Sequence, residues 1–261
     1  MPYTILEWAD RALSLFNTIV VLWLGAIVVL HAGRRRWDTW LACGGMALAG
    51  LFFAGHSTIV GQRLDAASGT MGFWWHAIWL AFIIWPLLWY AIVAWYTEAM
   101  RAPTHRRLLI GAGIVGIVAL IAPAVLPLVP PYGAILKHET PHILTLGGIP
   151  VILLYAVYCV GGEVLALAAL RAGGRSPEFM SDPAHRQSYP WLVATSYVLL
   201  GVAVTVSIVA VIVIGAAQAR QLDLTAVTTQ TVLVAVDTAI SLLIAVVIVF
   251  VGEAVISYEI F

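Results

Sequence analysis

Apolar residues in this chain run in long unbroken stretches. They neither alternate with polar residues, as in a half-buried strand, nor form the narrow stripe of a soluble amphipathic helix. A membrane-crossing helix needs about 20 apolar residues at a rise of about 1.5 Å each. Seven stretches meet that length: Leu13 to Ala32, Thr39 to Val60, Phe73 to Tyr96, Leu108 to Leu128, Pro141 to Leu170, Pro190 to Ala217 and Thr228 to Val255. The expected architecture is therefore all-α, a single seven-transmembrane helix bundle over residues 1–261.

Polar and Pro/Gly-rich breaks separate the spans. Thr140-Pro141 reads as an N-cap followed by a first-turn proline, and Tyr189-Pro190 places a proline at the start of the sixth span. Pro86, Pro123, Pro127 and Pro150 fall inside spans, where a missing N–H and a ring clash bend a helix. The polar segment Met1 to Asp10 has no basic cluster and no small-residue cleavage site, so the first stretch reads as a span and not as a removed signal. There is no internal repeat. The longest loop, Ala172 to Ser188, is too short to hold a core of its own.

Composition agrees with a lipid solvent. The chain is 62% apolar and 10% charged, whereas a soluble domain is about 45–50% apolar and about 25% charged. Thirteen basic residues balance thirteen acidic ones, so electrostatic capture of nucleic acid has no support. Cys43 and Cys159 both lie in apolar stretches, which argues against a disulfide framework or a C-x-x-C metal site.

Charge placement sets the expected orientation, because short cytoplasmic loops accumulate Lys and Arg. Arg34, Arg35, Arg36, Arg101, Arg106, Arg107, Arg171, Arg175 and Arg186 fall in odd loops; only Arg11, Arg63, Lys137 and Arg220 fall on the opposite side. The N-terminus is expected outside and the C-terminus in the cytoplasm, in an inner-membrane, multi-pass protein. Trp37, Trp40, Trp95, Tyr96, Tyr189, Trp191 and Tyr258 sit at expected inner ends, and Trp8, Trp74, Trp75 and Tyr132 at outer ends, as headgroup-level aromatics do.

The candidate chemistry gathers on the outer side. His56 lies near the outer end of the second span and His76 near that of the third; His138 and His142 bracket the start of the fifth, beside Glu139. Four imidazoles on one side, His56 and His76 at similar depth, are a candidate Zn, Cu or haem site, although interfacial histidines bonded to water, headgroups or backbone explain the same residues. Asp237, two to three turns into the seventh span, is a costly carboxylate that must face the bundle or a wet cavity. It reads as a ligand-contacting or titrating group, or as a neutral acid bonded to a neighbouring hydroxyl. Glu163 and Glu253 read as interfacial acids near inner ends, within reach of Arg171 or Arg175. Trp75, Trp79, Phe82, Pro86 and Trp89 recur on one face of the third span. That stripe could line a pocket for a flat apolar ligand or pack against helices and lipid.

Other chemistries are disfavoured. The only lysine, Lys137, lies in a loop, so no intramembrane amine is available for a retinal Schiff base. No phosphate loop, nucleophile elbow or H-E-x-x-H run occurs. His31, His105 and His185 lie at or beyond helix ends, which disfavours a two-haem conduit.

Phe73-Trp74-Trp75, Pro86, Trp89 and Tyr96-Thr97, then a basic loop and a leucine-rich fourth span, resemble the N-terminal seven-transmembrane region of bacterial sensor histidine kinases, as does the basic loop ending His185-Arg186-Gln187. That resemblance implies an extracellular or membrane-embedded stimulus, dimerisation, and a cytoplasmic signalling module after Phe261. No kinase module lies within these residues, so the expectation is a receptor portion or a stand-alone membrane protein with no catalytic residues of its own. The expected function is a sensory domain that binds a small-molecule or lipid stimulus through His56, His76, Asp237, Trp75, Trp79 and Trp89 and relays it through the seventh helix. The alternatives are a metal- or haem-binding redox protein using His56, His76, His138 and His142, and a small-molecule transporter, for which no paired broken helices are found.

Overall fold

The computed structural model describes residues 2–31, 37–61, 69–125, 145–146, 149–150, 153–218 and 226–259. Its helices are α1 (Pro2–His31), α2 (Trp37–Gly61), α3 (Gly69–Tyr96), α4 (Pro103–Val125), α5 (Leu154–Gly174), the short α6 (Pro177–Ser181), α7 (Pro183–Gln218) and α8 (Val227–Glu259). A 3-10 turn, Ala99–Arg101, joins α3 to α4, and Thr145–Leu146 pairs antiparallel with Ile149–Pro150. Among the described residues, seven helices (α1 to α5, α7 and α8) are long and apolar enough to cross a membrane. The protein is a multi-pass helical membrane protein.

Three helix starts differ most from expectation, each for a local reason. α1 begins at Pro2, well before Leu13, because Glu7, Asp10, Ser14 and Asn17 fall on one helical face and are buried against the bundle. The fifth span starts at Leu154 and not at Pro141: Pro150, expected inside it, lies in the strand pair, and Pro141 itself is outside the described residues. α7 starts at Pro183, so Pro190 lies two turns inside it. Asp182 caps that start, its Oδ1 accepting from the Ala184 N–H at 2.9 Å, with proline in the first helical position. Ser176 caps α6 in the same way at 3.3 Å.

Neighbouring helices close a ring in the order α1, α2, α3, α5, α7, α8 and back to α1, while α4 leans on the outside of α3. Ile110, Ile114, Ile117 and Ile121 of α4 are exposed on the lipid side. Small residues let the ring tighten. A Cβ on Gly162 of α5 would stand 2.9 Å from the Pro86 Cβ of α3, so only glycine admits this approach.

That approach completes the break at Pro86. Proline supplies no N–H to the Phe82 carbonyl one turn earlier, and its ring displaces the neighbouring Ile83 carbonyl from regular bonding. Two hydroxyls from α5 take over: Tyr155 donates to the Phe82 carbonyl, and Tyr158 donates to the Ile83 carbonyl at 3.1 Å. Water is scarce at this depth, so the carbonyls freed by proline depend on donors from a neighbouring helix.

Candidate functional site

Two features stand out inside the ring: a polar cluster shared by α1, α2 and α8, and an apolar cavity bordered by six helices.

The cluster follows from helical spacing. Asp10, Ser14 and Asn17 recur on one face of α1, and Asp237 and Ser241 lie one turn apart on α8. Asn17 donates through Nδ2 to the Ser241 carbonyl at 3.0 Å, which fixes the register of the two helices. His56 enters from α2. Its Nε2–H donates to Asp237 Oδ2 at 2.8 Å, and its Nδ1 lies 2.7 Å from Ser14 Oγ. Asp10 is fully buried, and neither of its carboxylate oxygens meets strict hydrogen-bond geometry among the described residues, although Ser241 and Asp237 lie beside it. One ligand atom each from Asp10, His56 and Asp237 lies within 4.8 Å of the others.

The cavity has a volume of about 620 Å³ and is lined from α1, α2, α3, α5, α7 and α8. Its α3 wall carries Trp75, Trp79, Phe82, Trp85, Pro86 and Trp89. Trp75 meets Trp79 edge-on at 5.8 Å, and Phe82 meets Tyr155 of α5 edge-on at 5.9 Å. Phe52 links the two features: it lines the cavity, stacks on His56 at 5.8 Å and meets Phe82 at 4.9 Å. Two lining residues carry buried polar atoms without partners among the described residues, Trp79 Nε1 and Glu163 Oε2.

Of the residues singled out by sequence, the structure brings His56 and Asp237 together and lines one cavity with Trp75, Trp79 and Trp89. Trp89 is already engaged, its indole N–H donating to Ser196 Oγ at 3.1 Å. His76 does not join His56. It is exposed, and its Nδ1–H donates to the Gly72 carbonyl at 2.7 Å. His138, His142 and Glu139 lie outside the described residues. Glu163, expected as an interfacial acid paired with Arg171 or Arg175, is instead buried on the cavity wall; Arg171 donates to the Tyr197 hydroxyl at 2.9 Å. Asp10, Ser14 and Tyr155 were not anticipated. The signal for the first two was the polar spacing along α1; for Tyr155 it was the need of a mid-span proline for outside donors.

Comparison with family models, with curated proteins and with solved structures yields no match.

Proposed function

We propose that the chain is a membrane receptor domain that holds one largely apolar ligand in its central cavity. The observation that carries this reading is the cavity itself, about 620 Å³ and bordered by tryptophans, phenylalanine and tyrosine. Small-molecule sites are typically about 300–1,000 Å³, mostly apolar, with a few placed polar groups, and lie between the helices of a bundle. Trp79 Nε1 and Glu163 Oε2 are those groups. An unmatched buried polar atom costs about 1–3 kcal/mol, so both favour a ligand that carries a hydrogen-bonding head on a flat apolar body.

Ligand occupancy would bias one of two arrangements of the ring, a population shift set by the ligand's differential affinity for them. Pro86 forms part of the cavity wall, which places a break in the backbone hydrogen bonding of α3 against the ligand. Similarity of the third span to bacterial histidine-kinase sensory regions supports a sensory role. The arginine distribution supports an outside N-terminus, an inner-membrane location and output from the cytoplasmic end of α8.

The test is a titration of the chain in bilayer discs with 1-aminoanthracene, an apolar fluorophore with one hydrogen-bonding group, read as energy transfer from tryptophan. Saturable binding at one site per chain, lost when Ala203→Phe fills the cavity wall, is expected. Unsaturable partitioning, identical in wild type and variant, refutes the reading.

A further inference from the structure

The bond between His56 and Asp237 is complete as a pair, and it leaves Asp10 unexplained. A carboxylate is expensive inside a bundle unless it is paired or binds a cation. Asp10 is 0% exposed, neither of its oxygens has a partner in strict hydrogen-bond geometry among the described residues, and it faces the imidazole and carboxylate of two other helices with Ser241 beside it.

We propose that Asp10, His56 and Asp237 form a binding site for one divalent transition-metal ion of the zinc class, with Ser14 holding His56 in the ligating tautomer. The donor set carries the choice of ion. Imidazole suits zinc and its neighbours, and carboxylates complete such sites, whereas all-oxygen sets suit calcium or magnesium. Charge balance points the same way: two carboxylates and a neutral imidazole cancel a divalent cation, whereas an imidazolium between the same carboxylates leaves one negative charge buried.

The geometry is close to what coordination needs. Ligand atoms bound at about 2.0–2.2 Å to a tetrahedral ion stand about 3.3 Å apart. The three atoms already lie within 4.8 Å of one another, and the His56–Asp237 contact of 2.8 Å has only to open slightly. Binding starts from the imidazolium: the ion replaces its Nε2 proton, which leaves to solvent, so the bound ring is neutral. His56 Nδ1 then carries the remaining proton and donates it to Ser14 Oγ, 2.7 Å away, the outer-shell bond that orients a ligating imidazole. Asp237 is 37% exposed, which leaves room for a water in the fourth position.

The experiment uses the full chain in bilayer discs, stripped with chelator, titrated with Zn²⁺ by calorimetry and with Co²⁺ by visible absorption. One ion per chain is expected, with a tetrahedral Co²⁺ band and no thiolate charge-transfer band. Asp10→Asn, His56→Ala and Asp237→Asn should each weaken binding by at least about 100-fold, and Ser14→Ala by about 10–100-fold. Thermal unfolding of each metal-free variant checks that it folds; where one does not, stoichiometry and the Co²⁺ spectrum of the wild-type chain decide. No stoichiometric binding, a thiolate signature, or binding that survives Asp10→Asn with Asp237→Asn but disappears in His138→Ala with His142→Ala overturns the proposal. The site is independent of the cavity reading, since Ala203→Phe should leave Zn²⁺ binding unchanged.

Discussion

The Pro86 bend and the Asp10 cluster both bury polar groups inside the ring, and they handle them in opposite ways. At the bend, carbonyls freed by proline on α3 meet hydroxyls from α5, with Tyr155 on Phe82 and Tyr158 on Ile83. At the cluster, His56 and Asp237 bond directly, while the two oxygens of buried Asp10 reach no partner in strict hydrogen-bond geometry among the described residues, with only Ser241 and Asp237 beside them. The first is architecture in which each exposed acceptor has been matched. The second crowds two carboxylates around one imidazole, an arrangement that a bound cation would complete. The cavity stands between them in character, with its aromatic wall complete and two polar atoms, on Trp79 and Glu163, left over.

The sharpest way to break the comparison is to disturb the matched region. Gly162→Val pushes a side chain into Pro86, which a Cβ would already meet at 2.9 Å. Overpacking of this kind costs about 1–3 kcal/mol, and the upper end is expected because backbone stands on the other side. A large fall in the unfolding temperature in detergent checks it. Tyr155→Phe removes the donor to the Phe82 carbonyl, with an expected loss of about 1 kcal/mol, in the range of interhelical hydrogen bonds in membranes. The same unfolding measurement applies.

Asp10→Asn should behave oppositely. In metal-free protein it replaces one of two crowded carboxylates with a neutral amide, so stability should hold or rise by up to about 1 kcal/mol. A loss as large as that of Tyr155→Phe would show that Asp10 is already satisfied, and the contrast between the two regions would fail. Smallest of all, His76→Ala should stay within about 0.5 kcal/mol of wild type, because the side chain is exposed and bonded only to its own helix.

Much of the fold was legible because lipid imposes a simple rule: a helix long and apolar enough to cross satisfies its own backbone. The rule located all seven crossing helices but misplaced ends where polar residues are buried. Glu7 and Asp10 looked like a solvated approach to the first span, yet with Ser14 and Asn17 they line its inward face. Asp182-Pro183 carries the cap and first-turn proline of α7, a signal eclipsed by the similar-looking Tyr189-Pro190. The tryptophan stripe was readable as one helical face. Its position on a cavity was not, since facing another helix and facing a void leave the same spacing. His56 and Asp237 were each visible as costly residues, but their pairing across 181 positions depends on the ring closing α1, α2 and α8 together.

The central claim is that the ring holds a ligand in its cavity, and native mass spectrometry of the chain released from bilayer discs tests it most directly. The account predicts one apolar molecule retained per wild-type chain at collision energies that strip bilayer lipid, and none on Ala203→Phe or Ala49→Phe, whose new side chains occupy the wall of the same space. Equal retention by wild type and both filled variants, or a bare wild-type chain, contradicts it.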